Sequence, residues 1–367
     1  MSRELLYLVW LTCNTSFSPS VRRFLEGYSA EELYCADYET LLKIGFSEKA
    51  SRSLSDKGLE RAERILRICR FKDILPVAYT DEAYPRALRN NPDMPIILYM
   101  RGNPSLLDKR LVGFVGTRKT TPVGESFAKR LAEELIDDGA VLVTGSALGI
   151  DSVALTSAFY KQKPAVSVLG CDIDRYYPSK NYALLEHTAR LGLVISEYPP
   201  ETNARFFPTR NRIIAGLSSA LAVCEAPLES GALITAEFAS DYGVPIFAPY
   251  IDGDSFAGCR ALVDRGALEL IEASALLSAS NPTPLKMAEK KPKKQKQAVE
   301  KITVEIKKKQ YSNPLFDYIV GCICSGRDTP DKMASAEYPV HKLLSALTQL
   351  ELEGDIEALP GNRYSIK

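Results

Sequence analysis

The segment Phe207-Pro-Thr-Arg-Asn-Arg-Ile-Ile-Ala-Gly-Leu-Ser218 sets two guanidinium groups, Arg210 and Arg212, either side of Asn211 at the start of an apolar helical turn. The amino end of a helix is its positive end, where fixed cations are disfavoured and Asp or Glu is the usual occupant. Paired arginines there call for a negative partner. Two readings are open. One is a bound anion, held by the arginines and by the backbone N–H groups of the helix start. The other is a pair of carboxylates from the same chain. Further cations, Arg118 and Lys119, follow an apolar run in Gly116-Thr117-Arg118-Lys119, and Ser230-Gly231 at a second helix start offers another anion-binding turn.

Other chemistries have little to build on. The chain holds two histidines, His187 and His341, neither with a plausible partner nearby in sequence, so His-based triads and His metal sites are not expected. Its eight cysteines are scattered, with only Cys322 and Cys324 close together. With no CxxC spacing, they suit a reducing cytoplasm better than a disulfide framework, and no metal is expected. A dinucleotide cofactor is a poor fit: the first strand-to-helix turn lacks GxGxxG, and the second apolar run ends in Thr144-Gly145 instead of an acidic residue for a ribose. There is no GxxxxGK[ST] either, so no cofactor is expected. Lys and Arg balance Asp and Glu at 46 each, but local clusters, not the net charge of zero, decide polyanion binding.

The elements that must position these residues follow from the hydrophobic pattern. Between Leu111 and about residue 279, apolar runs alternate with helical segments: Leu111–Val115, Ala140–Thr144, Ala165–Leu169, Leu193–Ser196, Ala220–Cys224 and Pro245–Ala248. Fully apolar strands alternating with helices predict a parallel sheet covered on both faces, an α/β doubly wound, Rossmann-like domain at 111–279. Residues 1–70 read as a small all-helical domain. The apolar run Leu5–Leu11 there is a buried first helix, because Glu4 and the lack of a small-residue cleavage site do not suit a signal peptide. The turn around Gly45 resembles that of helix-hairpin-helix modules, but an apolar–Gly–apolar turn is also ordinary helix punctuation, and packing is the preferred reading. Residues 71–110 carry Pro76, Pro85, Pro92 and Pro95, which exclude a long helix, and the strand-like Pro95–Met100, a lead-in packed on the next domain. Residues 280–312 form a Lys-rich, mostly disordered linker. Residues 313–367 read as three helices and a hairpin, pairing Ile356 and Ala358 with Tyr364 and Ile366 in a winged-helix-like plan.

In an open parallel sheet, ligands gather at the carboxyl ends of the strands. Those ends carry Gly116–Lys119, Gly145–Asp151, Gly170–Pro178, Glu197–Pro200 and Glu225–Thr235. Tyr176, Tyr177, Phe206 and Phe207 accompany the cations. Aromatics interleaved with phosphate-binding groups suit a single-stranded nucleic acid, for which stacking contributes roughly 1–3 kcal/mol per base. Singly, each feature is better read as a tight turn or a core ring; together on one rim they favour phosphate.

The combined motifs resemble the DNA-processing protein A family (DprA/Smf). The matching residues are Val115-Gly-Thr-Arg118, Gly145-Ser-Ala-Leu-Gly-Ile-Asp151, Tyr177-Pro-Ser-Lys-Asn181, Ser196-Glu-Tyr-Pro199, Phe207–Ser218 and Ser230-Gly-Ala-Leu-Ile-Thr235. The resemblance implies a non-enzymatic, homodimeric, cytoplasmic protein of natural transformation, which binds incoming single-stranded DNA, protects it and helps load RecA recombinase. It implies that Arg118 and the Arg210-Asn211-Arg212 segment face DNA phosphates, with Phe207 close to a base. Gly116, Thr117, Lys119, Gly145, Ser230, Gly231 and Thr235 would complete the pocket, with Lys161 and Lys163 as further basic residues.

The chain departs from the family pattern at four places. Leu148 stands where an Arg is usual, Leu155 where a His is usual, Arg260 in place of an Asn, and Pro249-Tyr250 in place of Pro-Gly. Two other readings compete. A Rossmann-like enzyme on nucleotides, of phosphoribohydrolase type, would use Glu197 or Glu225 as acid or base, but the chain has no PGGxGTxxE motif. A winged-helix transcription regulator would need a basic reading helix, and Glu351 and Glu353 stand on that helix instead.

Overall fold

The computed structural model describes residues 2–89, 91, 93–203, 206–279, 313–324, 327–335, 337–353, 355–359 and 363–366. The Lys-rich segment 280–312 lies outside them, as do Gly354 and residues 360–362 between the paired strands of the expected hairpin. Two compact units emerge: one of residues 1–15, 24–61 and 299–367, the other of residues 16–23 and 62–298.

The larger unit is built on one sheet. Among the described residues its strands are β1 (Leu75–Ala78), β2 (Ile97–Gly102), β3 (Leu111–Val115), β4 (Val141–Thr144), β5 (Ala165–Leu169), β6 (Leu193–Ser196), β7 (Ala220–Val223), β8 (Ile246–Ala248) and β9 (Leu268–Glu269). They lie in the order β1-β2-β6-β5-β4-β3-β7-β8-β9. From β6 to β9 every pairing is parallel, and β2 joins β6 antiparallel, with Arg101 opposite Val194. The doubly wound Rossmann-like expectation holds, and the lead-in adds two antiparallel strands to the sheet edge. β2 is the strand-like run expected at Pro95–Met100, shifted by two residues, whereas β1 is four residues long with Pro76 inside it, so its pattern did not stand out from a loop.

Strand order reverses at β3, which lies between β4 and β7. Chain leaving β3 for β4 and chain leaving β6 for β7 therefore cross on opposite faces, because such connections are right-handed. The helices Pro122–Asp137, Ile150–Tyr160 and Tyr182–Leu191 take one face, and Phe207–Leu217, Ala232–Asp241 and Ala257–Asp264 the other. Alternation within the strands serves both layers. Val141, Val143, Val166, Val168, Leu193 and Ile195 pack in one core with Ile213, Ile214 and Leu217 of the Arg210-bearing helix. Burying those three side chains contributes about 1.5–3 kcal/mol each, which fixes that helix against the sheet and its amino end at the rim.

In the smaller unit, Tyr7, Trp10, Leu33, Tyr34, Leu41 and Leu54 are buried among short amino-terminal helices, and the Trp10 indole donates to the Asp56 carbonyl at 3.1 Å. At the carboxyl-terminal end the helices Pro314–Cys324, Pro330–Met333 and Val340–Leu352 enclose Phe316, Ile319, Met333, Leu343 and Leu347. The hairpin of β10 (Ile356–Leu359) and β11 (Arg363–Ile366) pairs Ile356 with Ile366 and Ala358 with Tyr364, the register read from the alternation.

Candidate nucleic-acid interface

At the switch point, the turn after β3 and the turn after β7 are tied together. The Thr117 amide donates to the Glu225 carbonyl at 2.7 Å, and both Glu225 carboxylate oxygens accept from the Thr121 amide at 3.1 Å. The start of the Pro122–Asp137 helix is thus closed twice, by the Thr121 hydroxyl on Gly124 and by the buried Glu225. A carboxylate already sits where a Rossmann-type domain would otherwise present a helix start to a phosphate.

The other helix starts on this rim lack a capping side chain at the cap position: Ile150–Tyr160 begins after Gly149, Phe207–Leu217 after Phe206 and Ala232–Asp241 after Gly231. Neighbouring turns do engage the Ile150 amide, which donates to the Thr117 carbonyl at 3.1 Å, and the Ala232 amide, which donates to the Ser230 hydroxyl at 3.3 Å. Gly149 has φ +80°, and a Cβ there would collide with the Thr117 carbonyl, so only glycine lets the second turn lie against the first. The neighbouring loop is fixed by the Asn181 amide, which donates to the carbonyls of Ser146 at 2.8 Å and Ala147 at 3.1 Å. Asp172 does the same for the approach to Phe206, accepting from the Thr202 amide at 3.1 Å and the Asn203 amide at 2.8 Å.

Arg210 and Arg212 stand at the rim helix but turn inward, only 4% and 3% exposed. Arg210 donates to the carbonyls of Gly145 and Val168, at the ends of β4 and β5. A Cβ on Gly145 would overlap its guanidinium, so glycine there makes room for the arginine. Arg212 bonds the Glu197 carboxylate at 2.7 Å and the carbonyls of Asp93 at 2.7 Å and Thr209 at 3.2 Å. Burial pushes the carboxyls of Asp151 and Glu197 up from their ordinary range, and Arg210 and Arg212 respectively pull them back.

The sequence-based expectation that these two guanidinium groups face outward toward phosphates is corrected on that point. Of the two readings left open, carboxylates and carbonyls of the chain itself meet them. The apolar residues that follow draw the helix onto the sheet, and the arginines go with it. Asn211 stays nearer the surface, its amide 3.4 Å from the Gly231 carbonyl, which links two of the open helix starts.

The remaining expected residues divide. Arg118 and Lys119 are exposed, beside half-buried Gly116 and Thr117. Ser230 and Gly231 lead into the Ala232 helix, while Thr235 is buried with its hydroxyl unpaired among the described residues. Phe207 stacks obliquely on Tyr177 with ring centres 5.2 Å apart, and Phe206 on Tyr198 at 5.2 Å; Tyr177 and Phe206 are 53% and 46% exposed. Leu148 is partly exposed beside them, so the missing arginine leaves an apolar spot on the rim.

Lys161 and Lys163 are not brought to this rim. They follow the carboxyl end of the Ile150–Tyr160 helix and precede β5, at the amino ends of the strands and so on the opposite side from the rim, and Lys161 pairs with Asp137 at 2.8 Å. Tyr176 likewise leaves the rim cations and accepts from Arg101 at 2.6 Å. Among the described residues no group of three or more His, Cys, Asp or Glu could hold a metal ion, and no helix is long and apolar enough to cross a membrane.

Reasoning from sequence missed the partners: Asp151 and Glu197 as the buried counter-charges, and Glu225 as a plug over a helix start. An acidic residue straight after an apolar strand was the available signal for Glu197 and Glu225.

Comparison with known proteins locates the same segment. Residues 76–281 match the family model described as DNA recombination-mediator protein A. The chain is 38% identical over 218 residues to the Smf protein of Synechocystis, covering 56% of this chain and 54% of that one, so it spans about half the length of that relative. It is 33% identical over 249 residues to the DNA processing protein DprA of Bacillus subtilis, covering 66% of this chain and 82% of that protein.

Among solved structures, DprA of Streptococcus pneumoniae superposes with a TM-score of 0.66 at 27% identity, covering 76% of this chain and 98% of that one. DprA of Helicobacter pylori, whose structure concerns its single-stranded DNA binding mode, gives 0.50 at 31% identity, covering 56% and 94%. The family match spans more than half of the sequence, from β1 through the whole sheet, and the chain belongs to the DNA recombination-mediator protein A family.

Proposed function

We propose that the rim at the carboxyl ends of the parallel strands binds single-stranded DNA, and that the protein acts without catalysis: it protects incoming DNA and helps load RecA recombinase during natural transformation, as a cytoplasmic homodimer. The observation that carries this reading is the set of three uncapped helix starts, before Ile150, Phe207 and Ala232, grouped with exposed Arg118 and Lys119 and with the Tyr177–Phe207 and Phe206–Tyr198 ring pairs. Open N–H groups and exposed cations suit phosphates, and exposed rings suit bases. The Helicobacter relative's single-strand binding supports the choice of polymer.

In this reading Arg118, Lys119 and the open amides meet the strand, while Arg210 and Arg212 hold the rim in shape. The nucleotide-enzyme alternative draws less support, because Glu197 is engaged by Arg212 and Glu225 by the Thr121 amide. The test is Arg118→Glu with Lys119→Glu. Affinity for a labelled single strand is expected to collapse while circular dichroism stays native, and the wild-type salt slope to be about −0.7 per phosphate neutralised. Unchanged affinity in that double variant would remove the rim from the account.

A further inference from the structure

A groove descends from the rim along the Tyr182–Leu191 helix, lined by Arg101, Phe159, Ala183, Glu186, His187 and Arg190. His187 on its wall is 6% exposed, and neither ring nitrogen has a hydrogen-bond partner among the described residues. A buried polar group left without a partner costs about 1–3 kcal/mol, and a histidine serving only as packing would ordinarily place at least one nitrogen on a neighbour. Its ring lies 4.5 Å from Phe159, which meets Tyr160 edge-on at 5.6 Å, and Tyr160 is 77% exposed.

A run of aromatic rings connects the head of this helix to the rim. Tyr177, on the rim against Phe207, adjoins Tyr176 in sequence, and Tyr176 packs on Tyr182 at the head of the same helix with ring centres 5.5 Å apart. The ten-residue helix then carries the wall down roughly 15 Å at 1.5 Å per residue to Arg190 in its last turn. Arg101 closes the far side, donating to Glu186 at 3.1 Å. Rings alternating with cations along one path is the pattern of a single-strand track.

We propose that this groove is a second nucleotide subsite for the same strand as it leaves the rim, an inference that rests on the single-strand reading of that rim. Tyr160 stacks on a base, with Phe159 edge-on behind it. A turn of the His187 ring brings its nitrogens, sealed in the free protein, to the base edge, and Arg190 meets the phosphate. Burial, with Arg190 adding to it, holds the His187 imidazole below its ordinary value. The neutral ring therefore offers one donor and one acceptor, which suits a base edge; a phosphate offers acceptors alone.

The test uses the full chain and labelled oligothymidylates of about 6 and about 20 nucleotides, lengths on either side of a typical site. Tyr160→Ala with Arg190→Glu changes exposed side chains only. It is expected to weaken the long strand roughly tenfold and make its salt slope shallower by about 0.7, while the short strand binds as in wild type. His187→Phe, which keeps the ring packing, is expected to weaken the long strand alone as well.

Equal losses for both lengths, or no loss for either, in a protein whose wild type binds both, would overturn the subsite and leave the rim standing. A wild type that binds neither strand would instead remove the rim reading, and the subsite with it. Thymidine monophosphate that displaces the long strand from wild type but not from the Tyr160→Ala, Arg190→Glu protein would assign the groove to a free nucleotide and overturn the continuous track.

Discussion

Four helices near the amino terminus, Arg3–Asn14, Ala30–Cys35, Tyr38–Ile44 and Glu48–Ser55, each begin on a side-chain oxygen of the chain, from Ser2, Ser29, Asp37 and Ser47. Ser29 and Glu32 complete a reciprocal capping box. At the rim of the sheet, the helices beginning at Ile150, Phe207 and Ala232 follow Gly149, Phe206 and Gly231, none of which caps its helix with a side chain. Neighbouring turns engage the Ile150 amide, on the Thr117 carbonyl at 3.1 Å, and the Ala232 amide, on the Ser230 hydroxyl at 3.3 Å. The first set spends its helix starts on its own stability. The second leaves its cap positions without a side-chain oxygen. The two buried arginines beneath fix those ends, Arg210 on the carbonyls of Gly145 and Val168 and Arg212 on the Glu197 carboxylate. Helix Pro122–Asp137 lies between the two cases: it belongs to the sheet unit, but Thr121 and Glu225 close it.

That contrast can be broken at several points. The largest effect is expected from Arg212→Met, which strands Glu197 as a buried, unpaired carboxylate. Loss of one partner of a buried pair costs about 3–5 kcal/mol, so chemical denaturation should show a loss of that size, with DNA binding lost only as the fold is lost. A variant as stable as wild type would deny Arg212 its supporting role.

A smaller and more selective effect is expected from Gly231→Asp. A Cβ at Gly231 meets open space, so the fold accepts the change. The added carboxylate competes for the start of the Ala232 helix, and single-strand affinity should fall by about 1 kcal/mol, roughly fivefold, without loss of stability. Unaltered affinity in a fluorescence titration would take that helix start out of the interface.

The smallest effect belongs to the capped set. Asp37→Ala should cost about 1 kcal/mol and leave DNA binding unchanged. The hydrogen bond from the Thr40 amide is the main reason that the Asp37 carboxyl lies below its ordinary value of 3.8. A lowered carboxylate pKa contributes stability that is fully present above that ordinary value and is lost as pH falls through the folded one. Wild type and variant should therefore differ in stability near neutrality and converge in acid. A difference that persists or grows as the pH is taken well below that ordinary value would contradict the cap.

Much of this architecture could be read from the residues. The six apolar runs became strands because a parallel sheet buried on both faces needs continuous Val, Leu, Ile and Ala, a composition that a half-solvated strand or a surface helix does not carry. The Ile356–Ile366 register followed from alternation alone. β1 was less visible, since a short antiparallel edge strand containing a proline shares its composition with loops, while its neighbour β2 stood out as the apolar run at Pro95–Met100. At the site, sequence found the right segments and missed the direction of two side chains. Arg210 and Arg212 occupy a turn flanked by Ile213, Ile214 and Leu217, and the same apolar burial that places the helix carries its arginines inward. Linear spacing does not record that rotation, nor that Asp151 and Glu197 wait beneath.

Amide hydrogen exchange with and without a single strand compares the two sets of helix starts in one experiment. Slowed exchange at residues 150–152, 209–211 and 231–233, with no change at 30–32 and 38–40, is the result expected if the open ends hold the strand. Slowing elsewhere in the chain, with these three starts unaffected while the strand is bound, would contradict the rim as the DNA-binding surface.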